Sequence, residues 1–199
     1  KAKRFAHGAE LDAARAHFTW REVLSEEAKE ALLIPHDEYE DFSPSSTLFY
    51  ESWANCDSED PVHAMLHTDR SFHLPDDLMV KNDRMTMAHS IEARVPFCDR
   101  ELVAFLATVP TEHLMQGMTP KVLLRDAMSD LLPPSITRRK KMGLEMPYSA
   151  WMRGPLAELT TDILSPARVE ATGLFRSEAV QSLLRTHRAM DVDNGRALW

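Results

Sequence analysis

The stretch Asp99-Arg100-Glu101-Leu102-Val103-Ala104-Phe105-Leu106-Ala107-Thr108-Val109-Pro110 reads as one helix between two stops. Asp99 suits the N-cap, because a short carboxylate accepts from the free N–H groups of the first turn. Leu102, Val103, Phe105 and Leu106 recur at helical spacing, and Pro110 cannot continue the hydrogen-bond ladder. The same pattern repeats outward in both directions. Ser25 with Glu26 and Glu27 starts a helix that Pro35 ends, its acids set against the positive end of the dipole. Asp60-Pro61 pairs a cap with a proline at the first helical position. Leu74-Pro75-Asp76-Asp77 opens a helix carrying Leu78, Met79, Asn82, Met85 and Met87. Thr119-Pro120 opens another, with Val122, Leu123, Leu124, Ala127, Met128 and Leu131 as its apolar face. Pro134, Pro147, Pro155 and Pro166 punctuate shorter helices, and Ser177-Glu178 starts a last clear one. Between residues 35 and 60 the aromatic side chains predict a packed loop with a short helix around Phe49 and Trp53. The fold is predicted to be mainly α.

Composition bounds the function classes. The chain has 199 residues, 44% of them hydrophobic, enough to bury a core without disulfide or metal staples. A net charge of -8 argues against a broad nucleic-acid face. Cys56 and Cys98 are too few for a disulfide framework, so a reduced, cytoplasmic setting is the expectation. The most apolar stretch, 102–109, is too short to cross a bilayer, and no membrane partner is expected. Only 6 residues are glycine, which leaves no glycine-rich phosphate loop in this chain. The absence of an initiator Met and the closing Leu198-Trp199 predict a segment of a longer protein.

Three places carry candidate chemistry. Glu92 lies in Ile91-Glu92-Ala93-Arg94-Val95-Pro96-Phe97, where Ile91, Ala93, Val95 and Phe97 alternate with Glu92 and Arg94, and Pro96 forces Val95 to be extended. A carboxylate in that apolar setting is expected to be partly desolvated and suited to acid–base work. The other reading is a structural ion pair with Arg94, two residues on and on the same side of the chain. Lys121 is placed in the first turn of its helix, where a cation opposes the dipole unless an anion docks there. Arg125 lies one turn on and extends that site. The run Arg138-Arg139-Lys140-Lys141 is the densest basic cluster of an acidic chain. It reads as a phosphate or pyrophosphate loop, or as a solvated charge run. His63, His67 and His73 lack the accompanying residues of a zinc site, and no metal site is assigned.

Together these segments resemble a known family. Residues 74–88 and 90–99, the Lys121-Val122-Leu123-Leu124-Arg125 helix, and Arg139, Lys141, Gly143, Pro147 and Trp151 are similar to ordered motifs of glutamine-hydrolysing asparagine synthetases. His187 and Leu198-Trp199 also fall where that family has a histidine and an apolar helix. The resemblance covers residues 1–199 as one helical segment, weakly over 1–73 and strongly from 74 onward. It implies the helical C-terminal part of an α/β, adenine-nucleotide α-hydrolase-like (PP-loop) synthetase domain whose parallel sheet lies upstream. The implied reaction uses ATP and Mg²⁺ to convert aspartate, through an aspartyl-adenylate, into asparagine with ammonia from glutamine. It implies that Glu92 helps deprotonate the attacking amine and that Lys121 contacts phosphate. Arg139 and Lys141 then neutralise pyrophosphate, with Arg125 alongside. The family's Ser-Gly-Gly-x-Asp-Ser loop, its metal ligands and its glutaminase cysteine are expected upstream, so this chain alone is expected to be inactive. The resemblance leaves room for a homodimer. Pro120 and Cys98 depart from the family pattern beside the site. The alternatives are a related adenylating amidotransferase or β-lactam-synthetase-like cyclase with another acceptor, or a non-catalytic helical interaction module.

Overall fold

Short polar residues ahead of three of the apolar runs do the capping that the pattern predicts. In this computed structural model, which describes residues 2–35, 44–140, 143 and 146–199, Ser25 accepts from the Ala28 N–H at 3.2 Å and starts the helix Glu26–Leu32. Asp99 accepts from the N–H groups of Glu101 and Leu102, both at 3.0 Å, and starts Arg100–Thr108. Asp60 accepts from the Val62 N–H at 2.8 Å and starts Pro61–Ser71. The short helix expected around Phe49 spans Ser45–Ala54. The aromatic residues Tyr39 and Phe42 of the same predicted loop lie outside the described residues. Helices dominate the described residues, and the one sheet among them is a two-stranded ribbon. None of their helices is long and apolar enough to cross a membrane.

The chain divides into two units interleaved in sequence. One comprises Lys1–Glu10, Phe18–Pro44 and Gly143–Trp199. Within it, Leu33 bridges Phe175, Ile34 donates to the Leu174 carbonyl at 2.9 Å, and Arg176 donates to the Leu32 carbonyl at 2.8 Å. These bonds hold the end of Glu26–Leu32 against the segment before Ser177–Arg188. Val180 and Leu184 of that long helix are buried, as are Val169 and Met152. Gly173 ends Pro166–Thr172 with φ 67, a left-handed helix stop that glycine adopts without a side-chain clash.

The other unit comprises Leu11–His17 and Ser45–Met142. Its core gathers Ala16, Phe49, Ala64 and Val109 around the fully buried Thr68, whose hydroxyl donates to the Ala64 carbonyl at 2.9 Å. The His17 ring meets Phe49 edge-on, with centroids 5.2 Å apart, and its Nε2 lies 3.1 Å from the Asp69 carboxylate. The helix predicted from Leu74 is continuous over two windings: a π-wound His73–Met79 and an α-helical Val80–Met87. The expectation that the predicted apolar faces form a full core does not hold. Phe105 is 57% and Leu131 74% exposed, although Leu102, Val103 and Leu106 beside the first and Leu124 and Met128 beside the second are half-buried.

Asp60 links two elements of this unit, since the Thr111 hydroxyl donates to its second oxygen at 2.6 Å. That bond, ahead of the Val62 N–H, holds the Asp60 carboxyl below the ordinary carboxylate range. Asp60→Ala is expected to cost about 1–2 kcal/mol through loss of the cap. A folded-state value below the unfolded one stabilises above the carboxylate range and is lost as pH falls through it. The gap between wild type and variant in urea midpoint should therefore narrow from about pH 7 to about pH 3. A gap that stays constant over that range contradicts the assignment.

Candidate functional site

Six residues build the turn on which the site rests. Gly117, with φ 55, lets Met115–Gln116 fold back antiparallel on Thr119–Pro120, pairing Met115 with Pro120 and Gln116 with Thr119. Thr119-Pro120 therefore closes a ribbon and does not open a helix, which corrects the sequence expectation. The competing effect is steric, because proline pushes the residue before it toward extended geometry. The helix begins only at Val122, and Lys121 precedes it as the N-cap, with φ 62 and ψ 38. A non-glycine residue in this left-handed region costs on the order of 1–2 kcal/mol. Such strain persists where surrounding bonds over-determine it, commonly at ligand sites.

Arg125 supplies those bonds. Its backbone N–H donates to the Lys121 carbonyl at 3.0 Å, and its Nε donates to the Pro120 carbonyl at 3.1 Å. Its remaining nitrogens donate to the Thr137 carbonyl and, at 3.4 Å, to that of Arg139. Arg125, expected to extend the Lys121 site, does line it, with its fork bonded to three carbonyls. Residues 138–140 follow the short helix Pro134–Thr137 as irregular backbone, the loop that Gly143 and Pro147 had signalled.

Between the Lys121 turn and this loop lies an open cleft of about 420 Å³. Lys121, Arg125, Arg139 and Lys140 line it over an apolar floor that includes Phe97, Leu124 and Met128. Three of the predicted site residues thus meet, and Lys140 joins them. No carboxylate is among the described lining residues, so the positive potential is uncompensated within the cleft and attracts an anion. Lys141 lies outside the described residues.

Glu92 is not among the residues lining this cleft. The extended segment expected here is not formed: residues 91–95 are irregular backbone, Val95 has φ -118 and ψ 85, and Pro96 serves as the first residue of a 3-10 turn, Pro96–Cys98. The Glu92 side chain is 65% exposed and accepts from Arg94 at 2.9 Å. The expected desolvation is absent, since Ile91, Val95 and Phe97 around it are themselves exposed. The ion-pair reading of Glu92 and Arg94 describes the geometry.

A second polar cluster, in the other unit, had only His187 as a sequence signal. His187 is fully buried, with Nε2 3.2 Å from the Ser149 carbonyl and Nδ1 3.3 Å from Arg153. The same Nδ1 lies 3.5 Å from Asp193 Oδ1. Asp193 Oδ1 accepts from the Ser149 hydroxyl at 2.8 Å and from the Gly195 N–H at 3.0 Å. The Ser149 hydroxyl, more than the nearby His187 and Arg153, holds the Asp193 carboxyl below its ordinary range. Because that hydroxyl is bonded to Asp193 and not to His187, this is no nucleophile–base arrangement. It fixes the start of Gly195–Leu198. Among the described residues no group of three His, Cys, Asp or Glu is placed to hold a metal ion, and His63 Nε2 sits 3.0 Å from the Val109 carbonyl.

A mainly helical chain thus folds a strained lysine turn against a basic loop. The chain belongs to the asparagine synthase family, whose model matches residues 1–199. It is 31% identical over 180 residues to glutamine-hydrolysing asparagine synthetase 1 of Bacillus subtilis, covering 89% of this chain and 27% of that protein. It is 36% identical over 141 residues to a putative glutamine-hydrolysing asparagine synthetase of Mycobacterium bovis, covering 70% of this chain and 21% of that protein. A more distant relative is amidase chry2 of Gibberella zeae, 25% identical over 131 residues, which are 62% of this chain and 20% of that protein. The chain thus spans 27% or less of the length of these relatives. No solved structure matches it.

Proposed function

We propose that the protein containing this segment makes asparagine from aspartate, ATP and glutamine-derived ammonia. The observation that carries the reading is the cleft that gathers Lys121, Arg125, Arg139 and Lys140 in a chain of net charge -8. In this reading residues 1–199 are the helical C-terminal part of a PP-loop synthetase domain. The parallel sheet and the glutaminase domain precede it, and the sheet half covers the exposed Phe105 and Ile91 faces.

The aspartate carboxylate attacks the α-phosphorus of ATP, forming an aspartyl-adenylate and releasing pyrophosphate. Ammonia then attacks the acyl carbon, loses a proton and expels AMP. Charge builds on the phosphate oxygens in the first step, where a fixed cation is most effective. Lys121 meets that charge, while Arg139, Lys140 and Lys141 neutralise departing pyrophosphate. Arg125 adds its positive charge while bonded to carbonyls. Glu92 takes the proton of the attacking amine, which requires it to leave Arg94 when the substrate binds. Mg²⁺ accompanies ATP, and no carboxylate is among the described residues lining the cleft.

The test is exchange of labelled pyrophosphate into ATP with aspartate present. The intact protein is expected to catalyse it and these 199 residues alone are not. Exchange by the isolated chain overturns the division of labour; none by the intact protein overturns the reaction.

A further inference from the structure

Lys121 is held in a backbone conformation that its own side chain disfavours, and both peptide groups flanking it are bonded to a single residue. The Pro120 carbonyl accepts from Arg125 Nε at 3.1 Å, and the Lys121 carbonyl accepts from the Arg125 backbone N–H at 3.0 Å. The same guanidinium reaches across to the carbonyls of Thr137 and Arg139, the residues that flank Arg138 in the basic loop. We propose that Arg125 is the positioning residue of the cleft. It locks the left-handed Lys121 turn and ties the 138–140 loop to it, so that the Lys121, Arg139 and Lys140 cations are presented to one polyphosphate group. The proposal rests on the reading of the cleft as the phosphate site.

Only arginine meets this requirement. Its planar fork presents N–H donors in several fixed directions, whereas a lysine ammonium on a flexible stem cannot bond to three spaced carbonyls and also keep its place in the helix. Charge at position 125 is thus secondary to shape. A direct anion ligand would behave in the opposite way, because lysine also binds phosphate well.

Two measurements on the intact protein test this. The first is tryptic nicking of the folded protein, which needs no catalytic activity. In Arg125→Gln, cleavage after Arg138, Arg139 and Lys140 is expected to accelerate about tenfold, since losing a charged donor shared by several carbonyls frees a local segment. Unchanged cleavage there overturns the clamp. So does acceleration spread evenly over the Lys and Arg sites, which reports general unfolding. The second compares Arg125→Lys with Arg125→Gln in aspartate-dependent pyrophosphate exchange. Both are expected to lose about 10²-fold in kcat, as misplacement of a positioned group does, with KM for ATP changed less than about threefold. Near-normal kcat in Arg125→Lys, with a raised KM in Arg125→Gln, makes Arg125 a direct ligand and overturns the proposal. If the wild-type protein shows no exchange at all, the functional reading fails while the nicking result still judges the clamp.

Discussion

On the proposed function, Lys121→Ala in the intact protein is expected to lower asparagine formation by about 10²–10³-fold or more, the loss that follows removal of one preorganised charge at a reacting phosphate. The folded backbone should survive, because alanine pays the same left-handed penalty as lysine. Lys121→Gly separates the two contributions of this residue. It removes the ammonium equally, so activity should be just as low. It also relieves a backbone at φ 62, a relief of about 1–2 kcal/mol set against a glycine entropy cost of about 0.5–1 kcal/mol. The glycine variant should therefore unfold at an equal or higher urea concentration than the alanine variant. Turnover near that of wild type in either variant removes Lys121 from the mechanism. A clearly lower midpoint for glycine contradicts the strained turn. Sites that trade stability for function show the expected combination, a more stable and less active variant.

Gly195→Ala carries the largest stability loss. A Cβ at this buried position falls 1.8 Å from Ser149 Oγ and 2.8 Å from Ser149 Cβ. Turning the hydroxyl away breaks its 2.8 Å bond to Asp193, and the remaining 2.8 Å contact to Ser149 Cβ still demands backbone movement. Overpacking and a lost hydrogen bond together amount to about 2–4 kcal/mol. Denaturant unfolding of the variant measures it. Adding Ser149→Ala removes one of the clashing atoms, so the double variant should be less destabilised than the sum of the two singles by about 1 kcal/mol. Simple additivity would show that Ser149 and Gly195 are not in the contact described.

Local signals carried much of this structure. Ser25, Asp60 and Asp99 cap the helices that follow them because a cap is decided by a few neighbouring atoms. Pro134 and Pro166 open helices for the same reason. Thr119-Pro120 misled because two local rules compete there, proline as a first helical residue and proline as an enforcer of extension before it. The pairing partner Met115-Gln116 decides between them, and pairing is not written in either dipeptide. Lys121, Arg125 and Arg139 were each named as phosphate ligands and Lys140 only as part of the basic run, while their lining of one cleft was not legible in the sequence. The commitment of Arg125 to the carbonyls of Pro120, Thr137 and Arg139 left no trace in composition or periodicity.

Glu92 marks the other boundary. Alternation of apolar and charged residues around it suggested a strand, but a strand needs a pairing partner and burial needs a covering layer; residues 91–95 are irregular and Ile91 and Phe97 are exposed. The Ser149, Arg153, His187 and Asp193 cluster depends likewise on residues up to 44 positions apart meeting in space. The linear chain established helices, caps, the acidic balance with its one basic run, and the motifs of the family. Folding alone established the left-handed lysine, the arginine clamp and the cleft they frame. Backbone propensity acts over a few residues, whereas carbonyl orientation, desolvation and the convergence of charges are settled by segments distant in sequence.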